Sequence, residues 1–386
     1  MATGSRRPRL DAVDIMRGLI IVVMAIDHVR DYWSNADFDP TDPAATTIGY
    51  FVTRWVTHLC APWFMLLAGA GAYLSLGPDR DKRALVRFLL TRGLWLIVLE
   101  LTVMNLAWKG HDFDPTFMRV LVLSALGGSM IALAGLVHLP RPAILAVAVV
   151  MIAGHDALDH IAPEQLGPMA WLWHLLHVPG LLGAQPHHGL SVFVLYPLVP
   201  WIGVMALGYC GGAWLDSLRD EPVRRARLFA STGVALLVAF AVLRAIDAYG
   251  DPSAWTSYPT TAQTVFAFLA LSKYPPSLDY LLATIGLGLL VFAIIDRTSA
   301  ARPWRVLRTF GRVPMWFYLL HIPLICISSQ LVHRAVQGTW NRGDAWGVGL
   351  PLLYLLWITY VAVLYLPCRW YAGVKARRHD WWLGYL

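Results

Sequence analysis

Charged side chains are scarce in this chain. They make up 14% of its 386 residues, against about 25% in a typical soluble domain. So little charge cannot cover a water-exposed surface, which excludes an ordinary soluble globule. A surface facing lipid needs no such cover. Cysteine is rare as well: Cys60, Cys210, Cys326 and Cys368 form no CxxC pair, so neither a disulfide framework nor a zinc motif is visible. The first three sit in apolar runs and read as small buried thiols. No internal repeat, low-complexity tract or separate soluble domain stands out. The chain reads as one domain over 1–386, with cytoplasmic tails at 1–13 and 370–386. "SRRPRL" followed by "LIIVVMAI" has no small-residue cleavage site after it, so this stretch reads as a retained first span, not a signal.

Apolar residues are abundant, at 57%, together with 18 Trp and 15 Tyr, whose amphipathic rings favour the headgroup boundary. A membrane span needs about 20 mostly apolar residues. The pattern predicts spans near 14–33, 53–76, 84–107, 118–138, 142–158, 191–215, 228–247, 278–296, 305–332 and 349–369. This is an all-α, polytopic membrane protein of about ten transmembrane helices. Basic residues fall in alternate loops: Arg6, Arg7 and Arg9; Arg80, Lys82, Arg83 and Arg87; Arg141; Arg219 to Arg227; Arg297 to Arg305; and Lys375 to Arg378. The intervening loops hold Asp37, Asp39, Asp42, Asp156, Asp159, Glu164 and Asp251, with few bases, among them Lys109, Lys273, Arg334 and Arg342. The positive-inside rule then puts both termini in the cytoplasm. The net charge of +7 thereby points to anionic lipid and not to nucleic acid. The long outer segment 156–190 is too apolar for disorder and is expected to cap a cavity or dip into the membrane.

Ionisable groups inside a bilayer are costly and tend to face a protein interior or a water-filled cavity. On the first helix Asp14, Arg17, Ile21, Met24, His28 and Asp31 recur at spacings of three and four and share one face. Arg17 and His28 are about 16 Å apart along it. Asp14 with Arg17 also reads as a plain packing pair. On the second, Arg54 and His58 share a face at i,i+4. Pro62 can kink the helix and free carbonyls, while Ala68, Gly69 and Gly71 read as close-packing positions. The ninth carries Arg312 near its inner end and His321 deeper, between Pro314 and Pro323. Glu100 is an orphan on the third, with Arg92 or Arg119 as candidate partners. Of the outer histidines His111, His174, His177, His187 and His188, the i,i+3 pair His174 and His177 is the best of a set too weak for a metal site, and no metal is expected.

"DAVDIMRGLIIVVMAIDHVRDYW" resembles the opening helix of the transmembrane acyltransferase superfamily, whose members carry a basic residue and a histidine with ten residues between them, here Arg17 and His28. An R-G pair, an apolar run and then D-H resemble the heparan-α-glucosaminide N-acetyltransferase-like branch, which has bacterial members. "RWVTHLCAPWFMLLAGAGAYL", "LYPLVPWIGVMALGYCGG", "SKYPPSLDYLLATIG", "FGRVPMWFYLLHIPLI" and "RWYAGVKARR" extend the likeness over about 10–378. The resemblance implies transfer of an acyl group, typically acetyl from acetyl-CoA, to a hydroxyl or amine of a glycan or small molecule. It implies an essential His28, a multi-pass protein of the bacterial cytoplasmic (inner) membrane, and lipid as a partner; a homo-oligomer is compatible with it.

On this reading the donor's phosphates lie against Arg17, Arg87, Arg92, Arg308 and Arg312, since guanidinium forks match phosphate oxygens. His28 acts as general base, with His58 or Asp27 orienting it. Tyr318, His321 or a water donates to the oxyanion. Arg54, Tyr318, His321 and His177 are the candidates on the acceptor side. A transporter or flippase is the main rival, since Pro-interrupted helices and buried charge also suit alternating access. A haem protein using His28 and His58 is the third reading.

Overall fold

A bilayer offers backbone N–H and C=O groups no partner but each other, so its apolar runs must coil. The chain is 74% helix and 4% strand. The computed structural model describes residues 9–76, 81–182, 189–340, 346–378 and 380–385. Arg6, Arg7, Arg80, His187, His188 and Arg342 lie outside them. The first half contains α1 (Asp11–Trp33), α2 (Ile48–Thr57), α3 (Cys60–Leu74), α4 (Lys82–Leu99), α5 (Asn105–Lys109), β1 (Phe117–Val120), α6 (Val122–Leu136) and α7 (Arg141–Gly154). Then come α8 (Ala170–Leu176), β2 (Gly180–Leu182), β3 (Ser191–Val194), α9 (Leu198–Ser217) and α10 (Pro222–Ile246). The last third holds α11 (Thr261–Leu269), α12 (Leu278–Thr298), α13 (Arg305–Arg312), α14 (Pro314–Gln337) and α15 (Leu350–Arg377).

Among the described residues, seven helical runs are long and apolar enough to cross a membrane. They are α2 with α3, α7 with the short turn after it, and α9, α10, α12, α14 and α15. The other three predicted spans are helical too but fall short of that measure. α6 has only 15 residues. α1 carries Asp11, Asp14, Arg17, Asp27, Arg30 and Asp31, and α4 carries Lys82, Arg83, Arg87 and Arg92. The charges that hold α1 and α4 below that measure include Arg17, Asp27, Arg87 and Arg92, all candidate site residues.

Four predicted spans start or break differently. The run at 118–138 begins as β1 and the run at 191–215 as β3. These strands pair in parallel, with β2 antiparallel on the other side of β3. The run at 305–332 is two helices, because Pro314 bars the preceding residue from helical geometry; Val313 has φ −134° and ψ 49°. The run at 53–76 is interrupted at His58 and Leu59. Pro62 has no N–H and cannot bond the carbonyl four residues back. That carbonyl, on His58, instead accepts the Tyr280 hydroxyl at 2.7 Å.

α1 is the hub, touching α2, α3, α12, α13, α14 and α15. Its closest approach is to α13. A Cβ at Gly18 would lie 1.8 Å from the Leu307 carbonyl oxygen, and one at Gly311 would lie 1.7 Å from that of Asp14. Only hydrogen fits at either position. α3 meets α9 in the same way, at Gly69 and Gly208. Gly71 differs from its expected packing role: the nearest atom to an added Cβ is the Arg17 guanidinium, at 3.7 Å, so the glycine leaves room beside that cation. Exposed valines and leucines such as Val150, Val238, Leu355 and Leu366 give α7, α10 and α15 an apolar outer skin suited to lipid. All four cysteines are buried free thiols.

Glu100 corrects another expectation. It pairs with neither Arg92 nor Arg119. Its carboxylate accepts the backbone N–H groups of Leu121 at 2.8 Å, Leu123 at 3.3 Å and Ser124 at 2.7 Å. These are orphan donors at the start of α6, where the helix dipole favours an anion. Glu100 opens a π-helical turn, Glu100–Met104, between α4 and α5.

Candidate active site

The C-terminal end of α1 borders a cavity of about 500 Å³. Helices, strands and loops all contribute to it. α1 supplies Asp27, His28, Arg30 and Asp31; α2 supplies Arg54 and Thr57; α3 supplies Cys60 and Phe64. Trp108 of α5 and Tyr318 of α14 close one side. Non-helical chain supplies the rest: Phe117 and Arg119 of β1, Phe193 of β3, Tyr196 before α9, and Lys273 and Tyr274 before α12. The Tyr196 and Tyr274 hydroxyls are 3.1 Å apart.

Asp27 is held from both sides. One oxygen accepts from the Arg54 guanidinium, and the other lies 2.8 Å from Arg30. Arg30 also reaches Asp31 at 3.1 Å. With two guanidiniums on one carboxylate, Asp27 is committed to holding cations. His28 is freer. Its Nδ1 lies 3.4 Å from Asp31 Oδ2. Its ring meets the edge of Trp108 at 4.8 Å and the ring of His321 at 5.3 Å. His321 is fully buried, and its Nδ1 lies 2.8 Å from the Tyr318 carbonyl oxygen and 3.1 Å from that of Phe317. A carbonyl only accepts, so Nδ1 carries the proton and Nε2 has a lone pair. Among the described residues no group is bonded to that Nε2.

Of the residues expected on the chemical side, Asp27, His28, Arg54 and Tyr318 come together on the cavity wall, with His321 against His28. His58 does not line the cavity. At the end of α2 the turn tightens, and the His58 N–H bonds the Trp55 carbonyl three residues back at 3.0 Å. His58 is buried against Tyr280 with Nδ1 unbonded. His177 belongs elsewhere: it is buried, 2.9 Å from Asp159, and packed on Trp173 and His155.

The N-terminal end of α1 carries the predicted donor residues. Arg17 reaches Asp14 at 3.1 Å and the Gly311 carbonyl oxygen at 3.4 Å. Arg312 is 4.0 Å from Asp14, and Arg308 is 3.4 Å from Asp11. Arg92 bonds the Gly384 carbonyl and lies in the field of Arg17. Lys375 of α15 lies in the field of Arg92, Arg9 and Arg17. Arg87 is exposed on α4 and has no ion pair among the described residues. The result is a basic cluster at one end of α1 and a cavity at the other.

Sequence reasoning passed over Trp108, Tyr196 and Tyr274, and gave Lys375, Lys273 and Arg119 no site role. One signal was present. Lys273 is a base in a loop where the charge rule expects few.

A family model described as "Heparan-alpha-glucosaminide N-acetyltransferase, catalytic" matches residues 9–243, well over half of the 386-residue chain. The matched stretch contains all of α1 to α9 and most of α10, hence Arg17, Asp27, His28 and Arg54. Lys273, Tyr318, His321 and Lys375 lie beyond it, as do three of the stretches that carried the resemblance. No curated protein matches the chain.

Proposed function

Because the chain belongs to the heparan-alpha-glucosaminide N-acetyltransferase catalytic family, and so to membrane acetyltransferases, we propose that it moves acetyl from acetyl-CoA, through the membrane-embedded cavity, to a hydroxyl or amine acceptor. Both termini lie in the cytoplasm on this reading, so the donor arrives at the N-terminal end of α1. The observation that carries it is the arrangement of that one helix. A basic cluster of Arg17, Arg92, Arg312 and Lys375 stands at one end and His28 at a cavity wall at the other, about 16 Å apart. The phosphates of the donor would pair with the cluster. The thin pantetheine arm would pass between α1 and α3, where Gly71 leaves room beside Arg17, and bring the thioester up to the cavity floor at Cys60 and Phe64.

The chemistry then falls to His28. With Nδ1–H turned to Asp31, Nε2 takes the proton of the acceptor as its oxygen or nitrogen attacks the thioester carbonyl. The C–S bond breaks as the tetrahedral species collapses, and the CoA thiolate leaves with the proton returned by His28. Arg54 and Tyr318 are suited to the transient oxyanion. Asp27, already shared by two guanidiniums, keeps Arg54 in place and does not act as a base.

The experiment is turnover of His28→Ala in the purified full chain, at matched thermal stability, read as release of the CoA thiol. A loss of about 10²–10⁴ is expected, with acetyl-CoA binding retained by calorimetry. Turnover near that of the unmodified protein would remove His28 from the chemistry. Absence of acetyl-CoA binding in the unmodified protein would remove the donor.

A further inference from the structure

The ionic groups on the cavity wall do not balance. Two carboxylates, Asp27 and Asp31, face four cations, Arg30, Arg54, Arg119 and Lys273. Both carboxylates are taken, by Arg54 and Arg30. Lys273 and Arg119 are left with no carboxylate within ion-pair distance among the described residues. Their heads lie over aromatic faces instead, Lys273 over Tyr274 at 5.2 Å and Arg119 over Phe117 at 6.0 Å. Lys273 is half-buried and Arg119 exposed, and ring faces stabilise a cation only weakly, leaving its N–H donors open to solvent or a ligand. Asp27 is close enough for Lys273 to feel its field, but it is spent on the two guanidiniums. The donor cannot supply the missing negative charge either. On the acetyl-transfer reading its phosphates stay at the opposite end of α1, and the pantetheine arm and thioester are neutral.

Resting on that reading, we infer that the acceptor is an anion, a hydroxyl compound whose carboxylate or phosphate docks between Lys273 and Arg119. An ammonium acceptor would add a fifth cation to a wall with two already unmatched. The cavity therefore favours O-acetylation of an anionic polyol over N-acetylation of a protonated amino sugar. The anionic group gives the acceptor its anchor, and the hydroxyl a few bonds away is presented to His28. The same chemistry serves a soluble sugar acid or sugar phosphate and a phosphate at the head of a lipid.

The test uses the full chain in nanodiscs of zwitterionic lipid and matched acceptors: glucose, glucuronate, glucose 6-phosphate and glucosamine, with dodecyl phosphate against dodecanol for the lipid source. Two readouts are taken, thermal stabilisation by each compound without donor and CoA release with acetyl-CoA. At least one anion should act at roughly tenfold lower concentration than its neutral analogue, the size of a charged hydrogen bond. Lys273→Gln with Arg119→Gln should erase that preference and Lys273→Arg should keep it. A response confined to dodecyl phosphate assigns the anion to a lipid. Equal use of anions and neutral analogues, a preference for glucosamine, or a preference that survives the double substitution overturns the inference. If CoA stabilises the protein and no anion does, the inference falls alone. If an anion stabilises it and CoA does not, the donor reading falls and the anion site stands.

Discussion

The two ends of α1 hold charge by different means. At the N-terminal end the cations are secured by helices. Arg17, Arg308 and Arg312 find Asp14 and Asp11 on α1 or its carbonyl neighbours on α13, and two glycines bring these helices into backbone contact. At the C-terminal end, fixed ion pairs join α1 to α2, but the remaining cations come from a strand and a loop. The first arrangement resists change, because Arg17, Arg308 and Arg312 each also tie α1 to α13. The second leaves charge uncommitted, which suits a site that must accept a ligand. A substitution at the first end therefore mixes stability with binding, whereas one at the second reports on chemistry more directly.

The largest expected effect breaks the N-terminal end. Gly311→Leu would drive a side chain into the Asp14 carbonyl, where a Cβ already lies at 1.7 Å. Backbone cannot yield as a side chain does, so the loss should exceed the roughly 1–3 kcal/mol of ordinary overpacking. The expected result in detergent is no monodisperse folded protein; a variant that melts like the unmodified chain would mean that α1 and α13 do not touch there. Next is Arg54→Ala at the other end, which strips Asp27 of one of its two guanidiniums. Breaking such a pair costs about 3–5 kcal/mol, reduced here to the extent that Arg30 remains. Adding Asp27→Ala should recover part of the melting temperature; if the double variant is less stable than Arg54→Ala alone, Asp27 does more than hold Arg54.

Arg17→Lys sharpens the comparison at a smaller scale. Lysine keeps the charge beside Asp14 but loses the planar fork. Melting should change little and acetyl-CoA affinity should fall roughly tenfold, the worth of a charged hydrogen bond. Unchanged affinity would leave Arg17 as a partner for Asp14 and nothing more.

How much of this was legible in the sequence follows the same division. The face of α1 was readable because a helix repeats its face every three to four residues, so Asp14, Arg17, His28 and Asp31 declared themselves. Pro62 announced a kink through the bond it cannot make, whereas Pro314 splits a run that read as one span. Periodicity stops where helices stop. Lys273, Tyr274, Phe193 and Arg119 reach the cavity from a loop and two strands, and no spacing links them to His28. His58 shows the converse: i,i+4 from Arg54 suggests one shared face, yet the turn tightens at His58, which packs on Tyr280 while Arg54 lines the cavity. Glu100 was misread for a further reason. Its partners are backbone N–H groups, which no inventory of charged side chains can reveal.

The smallest expected effect is the cleanest measure of the N-terminal end. Arg312 is the cation there least tied to structure: its side chain is 48% exposed, and it stands 4.0 Å from Asp14. Exposed ion pairs contribute at most about 1 kcal/mol, so Arg312→Gln should leave the melting temperature nearly unchanged. If the donor's phosphates pass this rim, acetyl-CoA affinity should still drop a few-fold. The drop should be greater at low ionic strength, where the Debye length grows from about 8 Å towards 30 Å and an outlying charge is felt further away. Calorimetric titration at two salt concentrations separates the outcomes. Lost affinity that shrinks with added salt places Arg312 on the donor's approach. Affinity equal to the unmodified protein at both, together with weakening in Arg17→Lys, confines the phosphates to Arg17, Arg92 and Lys375 and leaves the rim to lipid. Loss of affinity accompanied by loss of melting temperature would show that even this exposed cation works through Asp14, and that the two ends of α1 differ less than their contacts suggest.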